Sequence, residues 1–314
     1  GYHHPSMTKI IEEKAALTEL YYKSVVEVPD HLFETQFDVN HLPKKERKMT
    51  LEMFRKHKQA FSKHAADIGF SHDIEMSIPI TSYEPHVQKY IPIPHNLRPQ
   101  VKAVLDQMLE FGIIRECNEP SLFCSNLLVV NKKDGKNIRI LLDGRLLNNY
   151  TRRLPAQFVT QHEIFAHLVG KKHVSTIDLS DAFFHIGLTE ESQPLTAFYS
   201  TAHGKRYCFQ RSPQGLRNSP LHLKLLMDKL FGDLADEVIH YVDDIIIATD
   251  GTLADHIKAV ERVIERLKNG NIRIRPSKIK LAQTHVEFLG IVWRRGTISI
   301  PCLLYTSPSP RDAH

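Results

Sequence analysis

The chain has 314 residues, 42% of them hydrophobic, with a formal net charge of +5 and a pI near 8.9. That is enough apolar material for a sizeable core, while no apolar run approaches the roughly 20 residues of a membrane span and no signal-peptide pattern opens the chain. Its four cysteines (Cys117, Cys124, Cys208, Cys302) form no C-x-x-C pair, which argues against a zinc site or a disulfide framework and for a reducing, intracellular setting without a membrane partner.

Residues 1–45 are weakly patterned and read as a linker or extension, and residues 46–89 as a helical and extended lead-in. A helix is expected over 48–66, with Leu51, Phe54, Phe61 and Ala65 on one face. Five prolines between Pro79 and Pro99 force extended, irregular chain. "RPQVKAVLDQMLEFG" (98–112) has helical spacing and a natural stop at Gly112. "SNLLVVNKKDGKNIRILLD" (125–143) reads as a hairpin around a Lys-Asp-Gly turn. "HVSTIDL" (173–179) is a buried strand that leads into the short helical pattern "SDAFFHI".

Further on, "SPLHLKLLMDKLFGDL" (219–234) is a helix with Pro220 in its first turn. "TLADHIKAVERVIERLKNG" (252–270) is an amphipathic helix with a Thr252/Asp255 capping box, and Gly270 ends it. "HVEFLGIVWRRGTISI" (285–300) closes with a hairpin. Strands and helices alternate irregularly, so the fold class expected is α+β. The basic runs 42–63 and 272–280, interrupted by apolar residues, suit a phosphate-tracking surface.

The chemical signal is "EVIHYVDDIIIATD" (237–250). Asp243 and Asp244 lie between β-branched residues, where ionised carboxylates are costly without a neutralising partner. Neighbouring residues in a strand face opposite ways, so both serve one site only if the strand turns there. Asp178, at the end of "HVSTID", is the natural third carboxylate. Such a set suits two Mg²⁺ ions and in-line phosphoryl transfer.

With its "YVDD" (241–244) counted, six blocks stand in order: "KKDGKNIRILLDGRLLN" (132–148), "STIDLSDAFFHI" (175–186), "TAFYS" (196–200), "QRSPQGLRNSP" (210–220), "YVDD" itself and "EFLGIV" (287–292). Together they resemble the successive blocks of reverse transcriptases, in particular those of Gypsy-class long-terminal-repeat retrotransposons and of retroviruses. The likeness covers about residues 50 to 300. It implies a right-hand polymerase fold, with fingers over 90–153 and 186–218, palm over 154–185 and 219–296, and the start of a thumb connection at 297–301.

The resemblance also implies roles. Asp178, Asp243 and Asp244 match the carboxylates that hold two Mg²⁺, with Mn²⁺ as a substitute. Lys132 and Arg139 match the residues that grip the incoming triphosphate, Leu179, Ser180, Asp181 and Ala182 the backbone around it, and Phe183 the ring that excludes a 2′-hydroxyl. Gln214 and Gly215 match the segment packed against the nucleotide and templating base. Tyr241 and Val242 match contacts to the primer end, and Phe288, Leu289 and Gly290 the primer grip. Two places depart from the pattern: "LHLKLLMD" follows "RNSP", and Gly144 stands where an aromatic is common.

The activity so implied is RNA-directed DNA synthesis from deoxynucleotides on an RNA or DNA template–primer, in the cytoplasm or in virus-like particles. A catalytically weak nucleic-acid-binding remnant is the alternative. A viral RNA polymerase fits less well, because Val242 precedes the paired Asp and Phe183 occupies the sugar-selecting position. The start at Gly1 suggests a piece of a polyprotein, with protease, integrase and ribonuclease H segments outside this chain. Residues 302–314 include "CLLYTSPSPRD", which resembles an in-frame translation of a transposase-based sequencing adapter, so a non-native tail is expected there, with the thumb largely missing.

Overall fold

Three consecutive isoleucines, Ile245–Ile247, sit at the centre of the molecule, and burial on both sides of their strand organises the rest. A computed structural model describes residues 16–135, 137–179, 181–295 and 297–300; Ser180 and the 302–314 tail lie outside them. The strands needed to place the site are β1 (Leu17–Leu20), β2 (Ile114–Glu116), β3 (Leu127–Asn131), β4 (Ile138–Asp143), β5 (His173–Asp178), β6 (Phe198–Ser200), β7 (Lys205–Phe209), β8 (Val238–Tyr241), β9 (Asp244–Thr249), β10 (Ile279–Lys280), β11 (His285–Phe288), β12 (Ile291–Arg294) and β13 (Thr297–Ser299). The helices are α1 (Lys44–Lys56), α2 (Arg98–Glu110), α3 (Arg145–Asn149), α4 (Gln161–Leu168), α5 (Ser219–Phe231) and α6 (Leu253–Asn269).

The central sheet is antiparallel with the order β8-β9-β5-β10. Alternation along β9 sends Ile245 and Ile247 into the main core with Val260 and Ile264 of α6, while Ile246 and Ala248 join a second cluster with Ile164, Val286 and Trp293. A strand covered on both faces reads as a continuous apolar run, which is why 245–248 lacks alternation. The expected capping box holds α6 at its start: Asp255 N–H donates to Thr252 Oγ1 and Thr252 N–H to the Asp255 carboxylate. A second box, Thr160 with Glu163, starts α4.

Away from this sheet, β3 and β4 form the expected hairpin, and β6-β7-β2 make a separate three-stranded sheet. The 98–112 helix is α2, closed by Gly112 at φ +68°. The described residues have the mixed helix and strand content expected of an α+β chain.

Several expectations need correction. The 48–66 helix begins at Lys44, after Pro43, and ends at Lys56. A 3₁₀ turn follows over Lys58–Ala60, and Phe61 then bridges to Ile274 rather than continuing a helical face. Phe61 is still buried, against Phe33, Phe37 and Phe54. The linker reading of 1–45 fails for its described part: Leu20, Phe33, Phe37, Val39 and Leu42 are core residues, and β1 pairs antiparallel with β4 from Leu17↔Asp143 to Leu20↔Ile140. Short elements with irregular spacing carry little periodicity, and long-range contacts decide their conformation. The closing hairpin is a three-stranded meander, with β13 beside β12 over residues expected to open a thumb connection.

Candidate active site

Two tight turns build the site. β8 and β9 are joined through Val242 and Asp243 alone, because Tyr241 pairs with Asp244. Val242 has φ +53°, a left-handed conformation that strains a β-branched residue. The turn lifts Asp243 out of the strand while Asp244 remains in it, directly opposite Asp178 of β5. Leu179 N–H donates to the Asp243 carbonyl at 2.9 Å, tying the end of β5 to the turn.

The three carboxylates are brought into one neighbourhood with little to neutralise them. Burial, then the Asp243 and Asp178 charges, push Asp244 up to about 6. Burial, with a smaller push from Asp178, raises Asp243. The one cationic partner among the described residues is Lys278, whose Nζ lies 3.7 Å from Asp178 Oδ2. Asp178 and Asp244 line a groove with Lys278 and Phe288, whereas Asp243 faces cavities lined by Phe183 and Gln214. No three His, Cys, Asp or Glu side chains among the described residues converge closely enough to form a ready-made metal site. That separation follows from the turn, which carries Asp243 out of β9 while Asp244 stays in the strand opposite Asp178. The donor set suits a hard divalent cation, since Mg²⁺ takes a few carboxylates and fills its shell with water and phosphate rather than requiring a protein cage.

The other expected residues fall around these grooves. Phe183 is half-buried, packing against the core while lining two cavities shared with Gln214 and Asp243. Gly215 needs its glycine, with φ +93°, and its carbonyl accepts from Asn148 Nδ2 at 2.8 Å. Tyr241 meets Phe288 edge-on at 6.3 Å between ring centroids. Leu289 (φ +45°) and Gly290 (φ +77°) form the two-residue turn between β11 and β12. Gln161 Nε2 donates to the Leu289 carbonyl at 2.8 Å. The tip of the expected primer grip therefore stands beside the Asp-Asp turn.

Lys132 lies at the exposed tip of the β3–β4 hairpin, its N–H donating to Asn137 O at 2.7 Å. Arg139 is held by Glu19, Nη2 to Oε2 at 2.9 Å. Of the backbone groups expected to face phosphate, Leu179 N–H is already committed to Asp243, and Ser180 lies outside the described residues. Asp181, at φ +54°, precedes the 3₁₀ turn Ala182–His185 and pairs with Lys23 at 2.7 Å and Arg275 at 2.8 Å. Sequence reasoning missed Glu19, Lys23 and Lys278 as site neighbours. Only Lys278 carried a signal, as part of the basic run 272–280.

A family model for "Reverse transcriptase (RNA-dependent DNA polymerase)" matches residues 130–293. The Pro-Pol polyprotein of Simian foamy virus type 1 is 31% identical over 249 residues, covering 79% of this chain and 21% of that one. The retrovirus-related Pol polyprotein from transposon 297 of Drosophila melanogaster is 30% identical over 261 residues, covering 82% of this chain and 24% of its own length. A solved foamy viral protease-reverse transcriptase in complex with RNA/DNA hybrid superimposes with a TM-score of 0.75 at 26% identity, over 89% of this chain and 37% of that one. The chain thus spans about a fifth to a quarter of the length of these curated relatives.

Proposed function

Since the chain belongs to the reverse transcriptase (RNA-dependent DNA polymerase) family, we propose that its cleft joins deoxynucleotides to a primer 3′-hydroxyl on an RNA or DNA template. The observation that carries this reading is the pairing of Asp178 with Asp244 beneath the strained Val242–Asp243 turn, with two carboxyls held above their ordinary range. Carboxylates in that state are poised for a cation, and the gain from neutralising them is available to whatever metal–phosphate complex binds.

In this reading Asp178, Asp243 and Asp244 are the residues that would hold two Mg²⁺ ions, with Mn²⁺ as a substitute; the metal would supply acidification of the attacking hydroxyl and charge stabilisation for the leaving pyrophosphate. The chain's own residues supply the positioning. Tyr241, Val242 and the Phe288–Gly290 turn hold the primer end over the carboxylates. Phe183 presents its ring to the sugar, where it excludes a 2′-hydroxyl. Lys132 and Arg139 bind triphosphate oxygens, Lys as a point charge and Arg as a planar fork. Gln214 and Gly215 let the nucleotide pack closely against backbone. The division into fingers (90–153, 186–218) and palm (154–185, 219–296) belongs to the same proposal, as do the cytoplasmic or particle-enclosed setting and the association with further polyprotein segments.

The test is DNA synthesis by the purified chain on a polyadenylate template with an oligothymidylate primer. Mg²⁺-dependent incorporation of thymidine nucleotide supports the polymerase. Tight template–primer binding with no incorporation in either Mg²⁺ or Mn²⁺ supports the remnant instead.

A further inference from the structure

The amino-terminal strand lies on the same residues that the polymerase reading assigns to the nucleotide. β1 adds to the edge of β4 over its whole length, and Gly144 N–H donates to Ala16 O at 3.1 Å to extend the pairing. Thr18 Oγ1 donates to the Gln214 carbonyl. The Glu19 carboxylate sits on the Arg139 guanidinium. Beyond β1, the side-chain amide of Gln107 clasps the Lys23 backbone from both sides, accepting from its N–H at 2.7 Å and donating to its carbonyl at 2.7 Å. Lys23 Nζ then reaches Asp181 Oδ2 at 2.7 Å, at the start of the 3₁₀ turn that carries Phe183. The segment crosses from the β3–β4 hairpin to the carboxylate side and walls a cavity of about 250 Å³ together with Phe183, Gln214 and Asp243.

The chemistry of these contacts is substitutive. A carboxylate on Arg139 makes the charge-assisted bonds that a phosphate oxygen would make there. Through Thr18, β1 fills space beside Gln214 that the polymerase reading gives to the nucleotide. Leu20 is buried and the Lys23–Asp181 pair largely so, and both anchor the segment, so the weak contact is the one a triphosphate would have to displace. The Glu19–Arg139 pair is 35% and 47% exposed, and such pairs contribute little. The stretch that follows exposes Tyr22, Val25, Val26 and Val28 and belongs to no regular element, which gives the segment a loosely packed pivot.

We propose that residues 16–23 form an intramolecular strap that occupies the nucleotide cleft of the free protein and leaves it when template–primer and deoxynucleotide bind. This rests on the polymerase reading above. The strap competes with the nucleotide: Glu19 must release Arg139 before a triphosphate takes its place. Loosening the strap therefore lowers the apparent KM for deoxynucleotide and leaves kcat unchanged.

The experiment uses the full chain, with amide hydrogen exchange followed in the free protein and with a chain-terminated template–primer plus the complementary deoxynucleotide. KM and kcat for thymidine triphosphate are measured in parallel for wild type, Glu19→Gln and Thr18→Ala. The expected result is protection of the 17–20 amides in the free protein and its loss in the ternary complex. KM should fall about two- to fivefold in Glu19→Gln, the range of an exposed ion pair. Retained protection of 17–20 in the ternary complex, by a protein that incorporates normally on an extendable primer, overturns the strap and leaves the polymerase reading standing. A rise in KM for Glu19→Gln overturns it as well, by making the segment part of the binding site. Absence of both template–primer binding and incorporation in all three proteins contradicts the polymerase reading, and the strap with it.

Discussion

Replacing Asp244 by Asn removes one of three mutually repelling carboxylates while keeping the shape of the side chain. In the folded protein burial and the Asp243 and Asp178 charges lift the Asp244 carboxyl from the ordinary aspartate range to about 6. A displacement of that size corresponds to about 3 kcal/mol when fully converted, and solvent screening at a partly buried position reduces it to about 1–2 kcal/mol. The sign follows from linkage. A carboxyl raised on folding favours the native state while protonated, so its contribution is complete below the unfolded value near ~4 and is lost as pH rises through about 6. In chelator at pH 8, Asp244→Asn should therefore unfold at higher denaturant concentration than wild type, by about 1–2 kcal/mol, and near pH 4 the two should agree. Millimolar Mg²⁺ at pH 8 should stabilise wild type more than the variant and narrow the gap. Denaturant titrations across this pH range, with and without Mg²⁺, make the comparison. A variant that is less stable at pH 8, or a difference independent of pH, would refute the reasoning by showing that the Asp244 charge is already compensated.

Three other outcomes follow from particular side chains. Phe183→Val should raise the ratio of kcat/KM for ribonucleotide over deoxynucleotide by about tenfold or more, and an unchanged ratio would leave Phe183 as a packing residue. His256 hydrogen-bonds Ser175 and Thr249 in the core and is held down to about 4 by burial, as is His185. Because both are depressed on folding, their contribution is present above about pH 6.5 and lost as pH falls toward 4. Imidazole NMR titration should place both groups below about pH 5, and titration of either near 6.5 would contradict the burial argument. Val242→Gly relieves a left-handed β-branched residue, so it should stabilise the fold by about 1 kcal/mol while impairing incorporation; a rise in both measurements would remove Val242 from the primer contact.

The parts of this fold that were legible in the sequence are those whose local pattern and tertiary role agree. The capping box and apolar stripe of α6, the β3–β4 hairpin and the strand–Asp-Asp–strand unit each carry their own signal in spacing and turn chemistry. The 16–45 segment was not legible. Its strand has four residues, and its buried phenylalanines are spaced by the aromatic cluster they join rather than by a helical or strand period. Phe61 misled for the same reason: it is buried, but through a bridge to Ile274 some two hundred positions away. At the site, the carboxylates and the turn that separates them were readable because burying charge beside isoleucine is costly enough to demand a cause. The occupancy of Arg139 by Glu19 and of Asp181 by Lys23 was not, since both pairings depend on where a weakly patterned strand docks.

Metal-dependent nucleotidyl transfer in this cleft is proposed to depend on Asp178 and Asp243. Single-nucleotide extension of a matched primer in Mg²⁺, comparing wild type with Asp178→Asn and Asp243→Asn at equal template–primer occupancy, tests it most directly. Rates should be lower by on the order of a thousandfold in each variant, about 4 kcal/mol of barrier, with template–primer binding retained. Near-normal extension by either variant would contradict it.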